Sequence, residues 1–228
     1  MSRKEWLDAR KALLIKEKEA TYTRDALSTK RRNLPMVEID KAYTFESPDG
    51  KATLLDLFNN RRQLIIYHFM FDPALDAGCR NCSFLIDSIG PLDHLRFRNT
   101  NFAAVSHAPV AKIEGFKKRM CWRFPWYSCS EIDFNYDFRV TQDEAVTPVE
   151  YNSKNKEKLE EDRIWKQKGE QAGITVFICV KGKVYHTYST CARGLDHLMF
   201  TYNLLDLTPF GRQDGPLKID EFSYHDGY

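Results

Sequence analysis

The chain has 228 residues with 34 basic and 32 acidic side chains, a net charge of +2 and a hydrophobic content of 43%. This length predicts one large domain, or one domain with an extension, that folds without disulfides or a structural metal. The near balance of charge argues against a nucleic-acid partner. No apolar stretch reaches the ~18 residues of a membrane span. The charged first residues lack the apolar core of a secretory signal, which favours a reducing, cytoplasmic location.

Residues 2 to about 32 predict a polar helix that ends before Pro35. Its thin apolar stripe includes Trp6, Leu13 and Leu27 among Lys, Arg and Glu. A helix this charged must lie on another surface, of its own domain or of a partner subunit. We therefore interpret residues 1–35 as an N-terminal helical extension and expect a homodimer formed through it.

The domain at residues 36–228 begins with a hairpin signal, two short strands around the turn Ser47–Gly50. Residues 63–71 form the most apolar run of the chain and predict a buried central strand. A helix is expected to open near Cys79, to break at Gly90-Pro91 and to continue to about Phe97.

The remaining elements are predicted as follows: a strand at 102–106, a helix at 110–120, an extended piece at 124–128, a hairpin over 174–188 and a helix over 193–207. A charged insertion at about 139–173 separates two of them, and its part rich in Lys and Glu, residues 152–171, predicts a solvated loop or exposed helix. Strands alternating with helices and followed by a hairpin predict an α/β fold, a thioredoxin-like three-layer sandwich with a mixed sheet.

Cys79 and Cys82 are the one cysteine pair whose spacing has recognised chemistry. A Cys-x-x-Cys at the start of a helix after a buried strand indicates redox chemistry. The helix dipole and the cation of Arg80 favour the thiolate of Cys79, and Cys82 lies one turn on, where it can resolve a mixed disulfide.

Two other interpretations of the pair are a zinc site and two inert core cysteines. A zinc site needs two further ligands at suitable spacing, which the sequence lacks. We expect neither a metal nor a cofactor. Cys121, Cys129, Cys179 and Cys191 are interpreted as small buried hydrophobes.

Two histidines stand at informative positions. His68 lies inside the apolar run and is interpreted as a core or edge histidine bonded to a neighbour. His107 follows a strand at its C-terminal end, where α/β proteins place functional groups, but it carries no motif. It therefore ranks below the cysteine pair as a candidate.

Segments along nearly the whole chain, among them Ala77-Gly-Cys-Arg-Asn-Cys-Ser-Phe-Leu-Ile-Asp87, resemble a thioredoxin-like family of unknown function, domain-of-unknown-function family 899. The other matching segments are residues 5–14, 40–45, 51–58, 63–71, 104–106, 124–126, 133–138, 186–190, 193–196 and 202–209. The resemblance implies the thioredoxin fold and a dithiol–disulfide oxidoreductase activity.

The sequence departs from related proteins at three places. The stretch at residues 172–175 lacks the cis-proline of thioredoxins, and Gly78 replaces the Trp that precedes their first cysteine. Leu75 replaces the Thr of the peroxide motif of peroxiredoxins. Because the proline normally marks where a partner chain pairs, its loss argues against docking of an extended protein substrate.

The first functional hypothesis is a thiol–disulfide oxidoreductase, or a related thiol-dependent redox enzyme, with Cys79 and Cys82 as catalytic residues. Its partner would be a small-molecule thiol, disulfide or metabolite rather than a folded protein. The predicted substrate pocket is lined by Phe71, Asp72, Arg80, Trp126 and Ile174. The alternatives are a small-molecule tailoring enzyme of a biosynthetic pathway without dithiol redox chemistry, and a non-catalytic binding or scaffold domain.

Overall fold

The computed structural model describes residues 1–161, 168–213 and 222–228, and it divides into two units, Met1–Met36 and Val37–Tyr228. The first unit contains the predicted helix, α1 (Arg3–Arg32). Ser2 and Glu5 form a capping box in which each side chain accepts a hydrogen bond from the other's backbone N–H, at 2.6 and 3.2 Å. No residue of α1 is buried within the unit, so its apolar stripe faces solvent.

The second unit contains twelve strands and six further α-helices in its described part. The strands are β1 (Val37–Glu38), β2 (Thr44–Ser47), β3 (Gly50–Thr53), β4 (Gln63–His68), β5 (Thr100–Ser106), β6 (Trp126–Ser128), β7 (Thr141–Asp143), β8 (Glu150–Tyr151), β9 (Lys154–Asn155), β10 (Lys168–Glu170), β11 (Gly173–Val180) and β12 (Lys183–Cys191). The helices are α2 (Arg80–Ile86), α3 (Asp93–Phe97), α4 (Val110–Arg119), α5 (Phe134–Asp137), α6 (Lys156–Glu161) and α7 (Phe200–Leu205).

The main sheet has eight strands in the order β1-β12-β11-β4-β5-β6-β2-β3. β4 and β5 are parallel, while β11 runs antiparallel to both β4 and β12. The parallel pair is joined by a crossover that contains α2 and α3, and the antiparallel pair follows later in the chain. This is the strand arrangement of the thioredoxin fold, as the sequence predicts.

Alternation along the central strands sends side chains to two separate apolar clusters, one on each face of the sheet. Tyr67 and Phe102 belong to the cluster that also holds the apolar sides of α2, α4 and α7. Ile66 and Val105 belong to the other cluster, with Phe134 of α5. The sheet therefore lies between two covered faces, the layering expected of the predicted sandwich.

The prediction of one continuous helix over residues 193–207 is wrong, because the structure has two shorter helices there. A 3-10 helix spans Ala192–Leu198, the chain is extended at Met199, and α7 begins at Phe200. The break places the N–H of Phe200 2.9 Å from the hydroxyl of Ser88, which accepts its hydrogen bond. A contact with another part of the fold thus replaces a helical hydrogen bond.

The insertion is more ordered than its composition suggests. β7 pairs with β10, and β8 pairs with β9 in a small hairpin. α6 is an exposed helix in which Leu159 is buried and packs with Tyr151, which agrees with the alternative of an exposed helix for part of residues 152–171, while residues 162–167 lie outside the described part. Cys121 is exposed and not a buried hydrophobe, because it follows α4 in a left-handed turn with φ 53°.

Candidate functional site

Cys79 occupies the N-cap of α2, directly after the loop that leaves the central strand. Its N–H donates to the carbonyl of Met70 at 2.9 Å, and its own carbonyl accepts from the N–H and the hydroxyl of Ser83, both at 3.0 Å. These bonds fix the backbone of Cys79 against both the strand extension and the helix. The thiol of Cys79 is half-buried.

Cys82 lies one turn further along α2 and is 1% exposed. Its sulfur hydrogen-bonds with the thiol of Cys79 and the hydroxyl of Tyr67, and it accepts from the N–H of Met70 at 3.4 Å. Burial, followed by the neighbouring Cys79, raises the pKa of the Cys82 thiol well above its usual value. Cys82 is therefore a protonated thiol near neutral pH, whereas Cys79 is only partly buried.

The packing around Gly78 explains why no larger residue precedes Cys79. A Cβ atom at this position would overlap the ring of Phe69 and lie 3.0 Å from the ring of Phe116. The loop thus passes directly over two core aromatic rings, and only glycine fits between them.

The five predicted pocket residues occupy different environments. Phe71 and Trp126 are buried, and Trp126 donates its indole N–H to the hydroxyl of Ser106 at 2.9 Å. Asp72 and Arg80 are exposed. Ile174 is buried and lines a cavity of about 210 Å³.

Phe71, Trp126 and Ile174 nevertheless share one apolar cluster with Cys82, and Cys79 packs against that cluster. Three of the five therefore share a core cluster with the cysteine pair, but neither cysteine lines the cavity next to Ile174. Their role as walls of a substrate pocket remains a prediction.

A second polar cluster lies at the same end of the sheet and centres on Glu170 of the insertion. One carboxylate oxygen accepts from the N–H of Phe71 at 2.7 Å, and the other lies 3.3 Å from both the amide nitrogen of Asn135 and Nδ1 of His107. The backbone N–H of His107 also donates to the carboxylate.

Burial dominates the electrostatics of this cluster. The Glu170 side chain is 11% exposed, and burial raises the pKa of its carboxyl to about 7 in spite of the donors around it. Burial also lowers the pKa of His107 below its usual value. Near neutral pH the imidazole of His107 is therefore uncharged. The carboxyl of Glu170 is present in both its protonated and its ionised form.

Asn135 connects Glu170 to a buried chain of hydrogen bonds. Its amide donates to Glu170, so its oxygen faces Nδ1 of His68 at 2.8 Å, and that nitrogen must carry the hydrogen. Nε2 of His68 then accepts from Thr175 at 2.8 Å. Burial lowers the pKa of His68 to about 4, which keeps the ring neutral.

The series of hydrogen bonds continues beyond Thr175 to Ser189 and His186. The hydroxyl of Thr175 accepts from Ser189 at 3.2 Å, and Ser189 accepts from Nε2 of His186 at 2.8 Å. Every donor therefore points towards Glu170. The expectation that His68 is a core histidine bonded to its neighbours agrees with this arrangement.

The two polar sites lie on opposite sides of one strand extension. Met70 directs its N–H at Cys82, and the next residue, Phe71, directs its N–H at Glu170. Cys82 belongs to one core cluster, whereas His68 stacks on Phe134 of the other. Glu170 is not among the residues predicted from the sequence, because it stands in a charged run. The one available signal is the neutral stretch Gln171-Ala172-Gly173 that follows it.

Two absences hold for the described ranges of the chain. No helix there is long and apolar enough to cross a membrane. No group of three or more His, Cys, Asp or Glu side chains in those ranges is arranged to hold a metal ion.

The family model described as "Bacterial protein of unknown function (DUF899)" matches residues 1–228. The chain belongs to this family. The resemblance that the sequence analysis identified is thereby confirmed. Among curated proteins, none matches the chain significantly.

Solved structures similar to this DUF899 protein include a mutant of peroxiredoxin Q from Xanthomonas campestris, with 15% identity and a TM-score of 0.45 over 75% of this chain and 95% of that one. The peroxidoxin BcpB from Mycobacterium tuberculosis has 9% identity and a TM-score of 0.49 over 75% of this chain and 97% of that one. We assign the fold from the strand order of this chain and not from these similarities.

Proposed function

We propose that the protein is a thiol–disulfide oxidoreductase, or a related thiol-dependent redox enzyme, that acts on small molecules through Cys79 and Cys82. The observation that carries the proposal is the contact between a half-exposed thiol and a buried one, with the N–H of Met70 and the hydroxyl of Tyr67 aimed at the buried sulfur. The cysteine proposed to attack the substrate, Cys79, is thus partly exposed, whereas the cysteine proposed to resolve the mixed disulfide, Cys82, is buried.

The proposed reaction has two steps. The Cys79 thiolate attacks one sulfur of a substrate disulfide, the substrate S–S bond breaks, and the leaving thiolate takes a proton from solvent. Cys82 then attacks the Cys79 sulfur of the mixed disulfide, the bond between Cys79 and the substrate sulfur breaks, and the Cys82 proton passes to the departing substrate thiolate. The substrate gains two electrons, the enzyme keeps a Cys79–Cys82 disulfide, and an external dithiol must restore it.

Tyr67 supports the second step. Its hydroxyl hydrogen-bonds with Cys82 and lowers the pKa of that thiol, against the larger effect of burial. A phenol and a backbone N–H that both point at sulfur stabilise the negative charge that develops there during resolution. Neither group needs to move for this.

Trapping of the intermediate tests the proposal. Cys82→Ser should accumulate a mixed disulfide between Cys79 and a small disulfide such as hydroxyethyl disulfide, detected as added mass, and Cys79→Ser should form none. Turnover of small disulfides or alkyl hydroperoxides should disappear in both variants. Full turnover by a protein that lacks both thiols would overturn the proposal.

Glu170 and His107 favour a second candidate function, proton transfer on a small metabolite without dithiol chemistry. A buried carboxyl with a pKa of about 7 next to a neutral imidazole is suited to general acid–base catalysis at neutral pH. Activity that survives replacement of both cysteines but is lost in Glu170→Gln would select this candidate.

A further inference from the structure

The segment Phe222–Tyr228, here called the clamp segment, packs beside the first cysteine. The hydroxyl of Tyr224 donates to the carbonyl of Gly78 at 2.7 Å, so it is bonded to the peptide that leads directly into Cys79. Arg80, the residue after Cys79, also hydrogen-bonds with Tyr224. One tyrosine thus touches the chain on both sides of the reactive thiol.

Three further contacts hold the clamp segment in place. Asp226 forms a bidentate ion pair with Arg119 of α4, at 2.7 and 2.9 Å. The guanidinium of Arg119 also lies 4.9 Å from the ring centre of Tyr224. Nδ1 of His225 lies 2.7 Å from the carboxylate of Asp87, which follows α2.

The start of the clamp segment is anchored on α2 itself. The ring of Phe222 stacks on that of Phe84 with centres 4.2 Å apart and lies edge-on to Tyr202 at 5.9 Å. The clamp segment is therefore bonded to α2, to the loop before it and to α4, and it occupies space beside Cys79 that an approaching protein chain would need.

We propose that the clamp segment determines the substrate class of the cysteine site by admitting small disulfides and excluding disulfides of folded proteins. This inference rests on the proposed function. A partner protein must lay several residues of backbone beside the thiol it attacks, and Tyr224 already occupies the Gly78 carbonyl there. A small disulfide needs only a path to one sulfur atom, and Cys79 keeps part of its surface open.

The test compares small and bulky reagents at Cys79. Iodoacetamide and a maleimide carried on polyethylene glycol are reacted with the reduced protein, and labelling is measured by peptide mass spectrometry, because Cys121 is also exposed. Asp226→Asn removes the ion pair with Arg119, and Tyr224→Phe removes the bond to Gly78. Glu144→Gln, which breaks an exposed ion pair with Lys156 in the insertion, is the matched control.

Opening the clamp segment should accelerate the bulky reagent and leave iodoacetamide nearly unchanged. An exposed ion pair contributes little, so Asp226→Asn should increase the rate of the bulky reagent by at most about fivefold. The double variant with Tyr224→Phe should exceed this, and Glu144→Gln should match the wild type. An unchanged ratio of bulky to small labelling in correctly folded variants, checked by thermal melting, would overturn the proposal.

Turnover separates this proposal from the proposed function. Insulin reduction relative to hydroxyethyl disulfide reduction should rise in the double variant. If the labelling ratio rises while no protein form turns over any disulfide, the clamp segment controls access and the proposed function fails. If the wild type reduces small disulfides but the labelling and turnover ratios stay constant across the variants, the proposed function stands and the clamp proposal fails.

Discussion

Replacement of Glu170 by glutamine should change how the stability of the protein depends on pH. The folded protein binds the Glu170 proton more tightly than the unfolded chain does, because burial raises the pKa of the carboxyl from 4.5 to about 7. The stability that this protonated form contributes is complete below pH 4.5 and is lost as the pH rises to about 7. A rise of this size corresponds to about 3 kcal/mol. Glutamine stays uncharged and has no such loss.

The wild-type curve alone would hide this effect, because His68 has the opposite linkage. Burial lowers the pKa of His68 from 6.5 to about 4, so its contribution is present above pH 6.5 and is lost as the pH falls towards 4. Between about pH 4.5 and 6.5 the two slopes nearly cancel. The difference between Glu170→Gln and the wild type removes His68 and the other unchanged groups from the comparison.

Urea denaturation at half-unit steps from pH 4 to 8.5 measures this difference. The free energy of unfolding of Glu170→Gln, relative to the wild type, should rise by about 3 kcal/mol across that range. Any constant cost of placing an amide next to His107 shifts the whole curve without changing its slope. For Glu131→Gln, at an exposed position, the free energy of unfolding relative to the wild type should not change with pH. A difference for Glu170→Gln that changes by less than about 1 kcal/mol would refute the burial argument.

Three further predictions follow from the fold and the cysteine site. Limiting iodoacetamide near neutral pH should label Cys79 before Cys82, since Cys82 is 1% exposed, and peptide mapping that finds the reverse order would contradict the assignment. Removal of residues 1–35 should lower the number of subunits per particle, measured by analytical ultracentrifugation, because α1 exposes its apolar stripe; an unchanged number of subunits would leave a self-association role for the helix without support. Gly78→Ala should lower the free energy of unfolding by about 1–3 kcal/mol through overlap with Phe69, whereas Gly90→Ala, where a Cβ has open space, should cost less than half as much.

Most elements of the fold follow from the sequence because their signals are local. Apolar runs, the turn at Ser47–Gly50 and the break at Gly90-Pro91 each appear where the pattern predicts them. The helix over residues 193–207 fails for the opposite reason. Its break at Met199 depends on a hydrogen bond to Ser88 on a distant element, and no periodicity encodes that contact.

In the candidate site, too, the residues that a local pattern marks could be predicted, and those that depend on distant contacts could not. The spacing of Cys79 and Cys82 is visible in four residues of sequence, and their order of exposure follows from the helix that Cys79 opens. Glu170 cannot be identified as buried from the sequence, because its environment is created by three distant groups: Phe71, His107 and Asn135. The neutral stretch after Glu170 marks the end of the charged run, but it does not indicate that the carboxyl is buried.

The hydrogen-bond chain from His186 to Glu170 gives this region a fixed electrical polarity. β-Sheets have little net dipole of their own, because the dipoles of neighbouring strands largely cancel. Here five successive donors, beginning at His186 and ending at Asn135, all donate in the direction of Glu170, and each bond polarises the next. The side chains therefore supply the directional field that the sheet lacks, with its positive end directed at Glu170, at the edge where the parallel strands terminate.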